Sequence, residues 1–254
     1  MAELTIQGVT DEVDFEGASL LADLLPPDPW RAIPSLDTVT SIAVRADRFS
    51  DSFGIWVSGN GCKMSFTFPT PDRHTYWDWD PCLPLLFRDL IVLFSRAPIT
   101  HLTVEGYQGD LTDEDWAGVF RSFPLLEEIA VGGSGSHASM WEGLRKTSES
   151  CSRLKYSKTD SSDDLFKAIL DTLRYRARYG MRLRRLSLAF DHSFHGDYER
   201  YFKRYVEDLR SLVKSVEYVV TDLDPEFDTP ETFADSLQCF LSSELEYLAD
   251  HDTR

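Results

Sequence analysis

The sequence lacks the features that define several large classes of protein. It has no run of about eighteen apolar residues, so no membrane-spanning helix is predicted. Its start, MAELTIQGVT, has neither the basic region nor the apolar run of a secretory signal, so we expect an intracellular protein, cytoplasmic or nuclear. The patterns GxSxG, HExxH, CxxC, GxGxxG and GxxxxGK[ST] are absent. We therefore predict a non-enzymatic protein without a cofactor.

Cysteine and basic residues are also scarce. The four cysteines form no closely spaced pair, so reduced thiols are expected rather than a zinc or redox site. The chain has 26 basic and 43 acidic residues, a formal charge of −17. This field disfavours nucleic acid and anionic membranes, and it favours a protein partner that carries a basic patch.

A six-residue pattern, apolar-x-x-apolar-x-apolar, occurs four times. Its last two apolar positions are two residues apart, so they face one side of a strand. The copies are Val39-Thr-Ser-Ile42-Ala-Val44, Ile99-Thr-His-Leu102-Thr-Val104, Leu126-Glu-Glu-Ile129-Ala-Val131 and Leu183-Arg-Arg-Leu186-Ser-Leu188. Weaker copies begin at Leu154 and Val216.

The spacing of these copies predicts an array. Ile99 and Leu126 lie 27 residues apart, and the later copies follow after 28, 29 and 33 residues. Spacings of about 20–29 residues with this pattern are typical of leucine-rich repeats, in which each unit holds a strand and a helix. The predicted fold is α/β: a single domain over residues 1–254, built as an irregular leucine-rich-repeat array of parallel strands lined by helices.

Helical patterns fill the intervals between the copies. Thr112 with Asp115 predicts a capping box, and Ser139 with Glu142 predicts a second one. Further helices are expected from about Ser161 to Gly180 and from Asp197 to Lys214.

The ends differ from the middle. Residues 53–68 alternate in polarity around Ser-Gly-Asn-Gly, which predicts an inserted antiparallel β-hairpin. Leu4-Thr-Ile6 has the character of a further strand. A helix over residues 229–250 is expected to cap the array.

The run ITHLTVEGYQGDLTDEDWAGVFRSFPLLEEIAVGGSGS, with MWEGL, LFKAILDTL and LRRLSLAF, resembles the leucine-rich-repeat region of fungal F-box proteins, the basidiomycete group in particular. The resemblance covers about residues 20 to 222 and implies the substrate-recognition part of an F-box-type system. The asparagine that usually follows each strand in such repeats is missing, since the chain has only Asn60. No F-box segment is recognisable, so binding to a ubiquitin-ligase adaptor is not expected.

The strand positions that alternate with the core positions form the candidate site. In a horseshoe-shaped array they line the concave face, where such proteins usually bind partners. The predicted binding residues are Ser41, Arg45, His101, Thr103, Glu105, Glu128, Arg185 and Ser187. The other interpretation of these positions is an ordinary solvated sheet face.

Two polar clusters offer alternatives. Asp191, His192, His195 and Asp197 are suitable ligands for a divalent metal, which would point to a metal-dependent enzyme of unrecognised type. The simpler interpretation is a polar loop that ends in a helix N-cap at Asp197. The segment from His74 to Asp80 either clamps a cationic ligand or packs its rings over the hairpin.

Overall fold

A computed structural model of the 254-residue chain describes residues 2–8, 19–21, 24–46, 52–69, 82–108, 110–133, 138–147, 153–158, 163–191 and 195–221. Residues Met1–Thr221 form one compact unit, and residues Asp222–Arg254 are assigned to a second unit. The predicted capping helix at 229–250 lies outside the described residues, so that helix and the single-domain organisation stay predictions.

The first unit is organised around one nine-stranded sheet. Its strands are β1 (Ala2–Gln7), β2 (Val39–Ala46), β3 (Ser52–Gly59), β4 (Cys62–Pro69), β5 (His101–Gly106), β6 (Glu128–Gly132), β7 (Arg153–Lys158), β8 (Arg185–Asp191) and β9 (Ser215–Thr221). Their order in the sheet is β1-β4-β3-β2-β5-β6-β7-β8-β9, and each adjacent pair from β2 through β5 to β9 is parallel. The fold is thus mixed α/β with a mostly parallel sheet.

The six copies of the pattern account for the six parallel strands. Copies at Val39, Ile99, Leu126 and Leu183 lie in or lead into β2, β5, β6 and β8, and the weaker copies form β7 and β9. The register aligns equivalent apolar positions across the sheet, for example Ile42 with Leu102 and Leu102 with Ile129. All three side chains are buried because they face the helices. The predicted parallel strands are therefore confirmed.

The inserted hairpin is confirmed as well. Strands β3 and β4 pair antiparallel, and they connect through Asn60 and Gly61. Strand β2 pairs antiparallel with β3 on one side and parallel with β5 on the other. The predicted strand around Leu4-Thr-Ile6 is β1, which pairs parallel with β4 at the edge of the sheet.

The helices form one layer. They are α1 (Pro29–Ala32), α2 (Cys82–Phe94), α3 (Asp113–Ser122), α4 (Ala138–Lys146), α5 (Asp163–Arg178) and α6 (His195–Leu212), with a 3-10 helix over Pro34–Thr38. Helices α2 to α6 contact one another in chain order, so they cover the same face of the sheet. No described helix is both long and apolar enough to cross a membrane.

One of the two predicted capping boxes is present in the structure. Thr112 and Asp115 form the capping box of helix α3, with the Asp115 backbone N–H donating to Thr112 Oγ1 at 3.1 Å. The predicted box at Ser139 is wrong, because helix α4 begins at Ala138 and Ser139 lies inside its first turn. The partner expected for that box, Glu142, instead accepts hydrogen bonds from the Arg145 guanidinium one turn later.

Buried polar side chains of helix α5 donate hydrogen bonds to backbone carbonyls of helix α4 and of the residue that follows it. Thr172 Oγ1 donates to the carbonyl of Trp141 at 3.2 Å. Arg176 is 3% exposed, and its Nη1 donates to the carbonyls of Leu144 and Thr147 at 3.3 and 3.2 Å. The sequence places Arg176 near the end of its own helix, α5. In the structure its guanidinium instead donates to backbone carbonyls at the end of the neighbouring helix, α4.

A buried glutamine bridges two successive turns of the sheet. Gln108 follows strand β5 and is fully buried, and its Nε2 donates to the Gly132 carbonyl of strand β6 at 2.8 Å. Glycines make this approach of successive turns possible. A Cβ atom would lie 2.1 Å from the Ala46 carbonyl oxygen at Gly106 and 2.1 Å from the Gly106 carbonyl oxygen at Gly133.

Candidate functional site

The sheet face opposite the helices carries the predicted binding residues, and we call it the polar face. Strand alternation puts apolar side chains towards the helices and leaves the intervening positions on this side. All eight predicted residues lie on it, in three rows that cross the parallel strands. Helices α2 to α6 contact one another in chain order and cover the opposite face.

The first row contains half of the predicted residues. The register aligns Ser41 with His101 and His101 with Glu128. Strand β7 then contributes Arg153, which aligns with Arg185. The His101 ring is exposed, and its Nδ1 lies 2.8 Å from the hydroxyl of Thr100. Ser41, His101 and Glu128 are therefore direct neighbours, whereas Arg185 is separated from them by one strand.

The centre of the second row carries only small side chains. Ala43, Thr103 and Ala130 are aligned on β2, β5 and β6. All three are partly exposed, and their side chains end at or near Cβ. Trp56 on strand β3 aligns with Ala43 and borders this stretch with a large aromatic ring. The register and the small side chains thus imply a shallow depression, defined by Ala43, Thr103 and Ala130, with a tryptophan at one end.

The third row contains a cluster in which Arg45 contacts residues of both neighbouring strands. Arg45 Nε lies 2.8 Å from Glu105 Oε2, an ion pair without the alignment of a hydrogen bond. Each of the two side chains is 19% exposed. The Arg45 guanidinium also lies 5.5 Å from the centre of the Trp56 ring, within range of a cation–π interaction. Arg45 is thus held between strands β3 and β5.

A second polar cluster lies near the β9 edge. Arg185 Nε is 3.2 Å from Glu217 Oε1, and Ser187 Oγ donates to Glu217 Oε2 at 3.0 Å. Glu217 follows Ser187 in the second row by register. Arg185 and Ser187, the last two predicted residues, therefore both contact the carboxylate of Glu217. Glu217 was not among the residues predicted from the sequence.

Sequence reasoning also missed Trp56. The alternation of Phe53, Ile55 and Val57 already implies that Trp56 faces the opposite side of the hairpin. What the alternation cannot give is the pairing of β3 with β2, which brings the ring to Arg45. The missed residues on β7 are Arg153 and Lys155, which occupy the first and second rows by register.

The charge pattern of the polar face is more balanced than predicted. The sequence indicates acidic residues in the middle and basic ones at either side. In the structure, Glu105 is engaged by Arg45, and Glu128 is 9% exposed. A basic partner would therefore have to compete with Arg45 for the Glu105 carboxylate.

The alternative metal site lies only partly within the described residues. Asp191 ends strand β8, His195 and Asp197 begin helix α6, and His192 lies outside the described residues. Within the described ranges, no group of three or more His, Cys, Asp or Glu residues is arranged to hold a metal ion. The segment from His74 to Asp80 also lies outside them.

Comparisons with known proteins found no match to the chain among family models, curated proteins or solved structures.

Proposed function

We propose that this protein is a protein-interaction module and that its polar face binds a protein partner. The observation that carries the proposal is the one-sided construction of the sheet. Helices α2 to α6 cover one face, and the other holds aligned polar side chains around a prearranged Arg45–Trp56–Glu105 cluster. Tryptophan and arginine are the residue types that most often dominate the energy of protein interfaces.

The depression beside this cluster suits a protruding side chain of the partner. Ala43, Thr103 and Ala130 leave room above the sheet, while Trp56 offers an apolar wall. Because Arg45 is already held by Glu105 and the Trp56 ring, little side-chain entropy remains to be lost on binding. A preordered anchor next to an open depression favours a specific complex.

We further propose that the strand–helix units are of the leucine-rich-repeat type. The parallel order of β2 and β5 to β9 and the recurring spacing support this assignment. The resemblance to the leucine-rich-repeat region of fungal F-box proteins then suggests substrate recognition. A basic patch on the partner, placed opposite Glu105 and Glu128, stays part of the proposal.

The test blocks the depression without touching the core. Thr103→Arg places a long side chain over Ala43 and Ala130, and Ser95→Arg adds the same charge at an exposed position between α2 and β5. Tagged parent and variant chains are used for affinity purification from the native cell, and partners are identified by mass spectrometry. We expect a partner that is retained by the parent and the Ser95 variant and is lost with Thr103→Arg.

A second variant tests the charged positions. Glu105, Glu128 and Arg185 are changed together to glutamine, which keeps their approximate size while removing charge. Partner recovery should fall, because the carboxylates and the guanidinium supply the polar contacts of the face. If both the Thr103 variant and the triple variant retain every partner of the parent, the polar face is not the binding surface.

A further inference from the structure

Exposed basic side chains gather at two neighbouring turns of this acidic chain. The first turn joins helix α5 to strand β8, and the second joins α6 to β9. The Lys214 backbone N–H donates to the Leu183 carbonyl at 3.3 Å, and that of Ser215 donates to the Arg184 carbonyl at 3.0 Å, so the turns lie side by side. We call the four exposed residues of these turns the basic edge: Arg178, Arg182, Arg184 and Lys214.

The basic edge has no acidic partner in the described part of the chain, unlike basic residues near the ends of helices α3, α4 and α6. None of its four side chains takes part in an ion pair between described residues. The contrasting pairs are Arg121–Glu114 at 3.3 Å, Lys146–Asp113 at 2.8 Å, Arg210–Glu207 at 2.9 Å and Arg145–Glu142. Positive charge is therefore neutralised at helices α3, α4 and α6 but not at the basic edge.

The helix dipole explains only one of these four positions. Arg178 is the last residue of helix α5, where a cation is favoured by the helix C-terminus. Arg182, Arg184 and Lys214 lie outside the helices, so the dipole gives no reason for them. Like charges within a Debye length of about 8–10 Å repel each other. These cations nonetheless lie at neighbouring turns, in a chain whose formal net charge is −17.

An aromatic ring adjoins the basic edge. Tyr179 follows Arg178 and is 65% exposed, among the most exposed large hydrophobic side chains of the described residues. Its ring contacts that of Tyr175, with centroids 4.8 Å apart. The edge therefore offers charged donors and a flat apolar surface together, which is suited to an extended peptide.

We propose that the basic edge is a second binding surface, which takes an acidic segment of a protein partner. Arginine guanidinium groups bind carboxylates through paired hydrogen bonds, and two of the four residues flank Leu183 in the same turn. A short peptide meets only the local positive field. A long polyanion such as nucleic acid, or an anionic membrane, would also meet the repulsion of the whole chain. The basic edge adjoins the first row of the polar face at Arg185 but shares no residue with the predicted binding residues, and its proposal does not depend on the function proposed for that face.

The experiment uses the full-length protein and a defined probe. A fluorescein-labelled ten-residue peptide of alternating Glu and Gly is titrated at low salt by fluorescence anisotropy, and the matched peptide carries Gln for Glu. The test variant is Arg182→Glu with Arg184→Glu. The control variant, Arg31→Glu with Lys63→Glu, changes the net charge equally at exposed positions remote from the basic edge. Circular dichroism checks that both are folded.

We expect the Glu peptide to bind the parent and the control, and to bind the test variant at least ten-fold more weakly. The Gln peptide should not bind. Equal weakening in both variants would show only the effect of net charge and would overturn the proposal, as would absence of binding to the parent. Two further probes are a twenty-nucleotide single-stranded DNA and a vesicle that contains anionic phosphatidylserine. If either binds at the basic edge more tightly than the Glu peptide, the acidic peptide is not the ligand and the proposal is overturned. Thr103→Arg should leave peptide binding unchanged, which separates this test from that of the polar face.

Discussion

Two adjacent glycines at the end of strand β6 should respond in opposite ways to the same substitution. Gly133 has φ of +111°, a conformation that L-residues rarely adopt, and its Cβ would lie 2.1 Å from the Gly106 carbonyl oxygen. At Gly132 the nearest atom to an added Cβ is Glu105 Cγ, at 4.0 Å. Each residue is changed to alanine separately, so that the chemistry of the change is identical.

The expected difference follows from backbone strain. A residue forced into a sparsely populated backbone region costs about 1–3 kcal/mol. Displacing a packed backbone neighbour adds about 1–3 kcal/mol. Gly133→Ala should therefore destabilise the fold by about 2–6 kcal/mol. Gly132→Ala meets no obstruction and should be neutral or stabilising by up to about 1 kcal/mol, because alanine restricts the unfolded chain.

Urea unfolding followed by tryptophan fluorescence and far-UV circular dichroism measures the difference. With a denaturant dependence of about 3 kcal/mol per molar, the two midpoints should differ by roughly 1 M. Coincident transitions from the two probes establish that midpoints can be compared. If the variants unfold within about 0.2 M of each other, the turns of β5 and β6 do not approach as described.

Buried polar contacts give two further predictions, and a surface ion pair gives a third. Gln108→Ala should destabilise the fold by about 1–3 kcal/mol in the same urea assay, because the Gly132 carbonyl loses its buried donor; no change would mean that the bridge is replaceable. Arg176→Met keeps most of the volume but removes the donors to the carbonyls that end helix α4, and a loss of about 2–3 kcal/mol is expected; a variant as stable as the parent would contradict this role. The hydrogen bond from Lys146 holds the pKa of Asp113 below its ordinary value of 3.8. Its stabilisation is therefore present above about pH 4 and is lost as pH falls through the lowered pKa, so Lys146→Met should flatten the acid limb of a thermal-stability profile; an unchanged limb would refute the coupling.

Much of the strand–helix order is predictable from local patterns. The recurring apolar pattern predicts β2 and β5 to β9, since alternation within a few residues decides which side of a strand is apolar. The same holds for the hairpin, where polarity alternates on both sides of Asn60 and Gly61. The failed cap at Ser139 shows the limit of such patterns. A cap depends on where the helix begins, and a shift of one or two residues removes it.

The candidate site is predictable in its residues but not in its contacts. Alternation correctly assigns all eight predicted residues to one sheet face. It does not reveal that Arg45 pairs with Glu105, that Trp56 stacks beside Arg45, or that Glu217 joins Arg185. These partners come from different strands, and only the order and register of the strands brings them together.

The sequence by itself determines which segments become strands and helices and which of their sides is apolar, because those properties depend on residues two to four positions apart. Tertiary structure alone decides which polar residues meet. Arg45 and Glu105 are 60 residues apart in the chain, yet they form a 2.8 Å ion pair because strands β2 and β5 are neighbours in register. Gln108 bridges to Gly132 for the same reason. Pairing of distant strands is fixed by the packing of the whole helix layer against the sheet, and no short stretch of sequence contains that information.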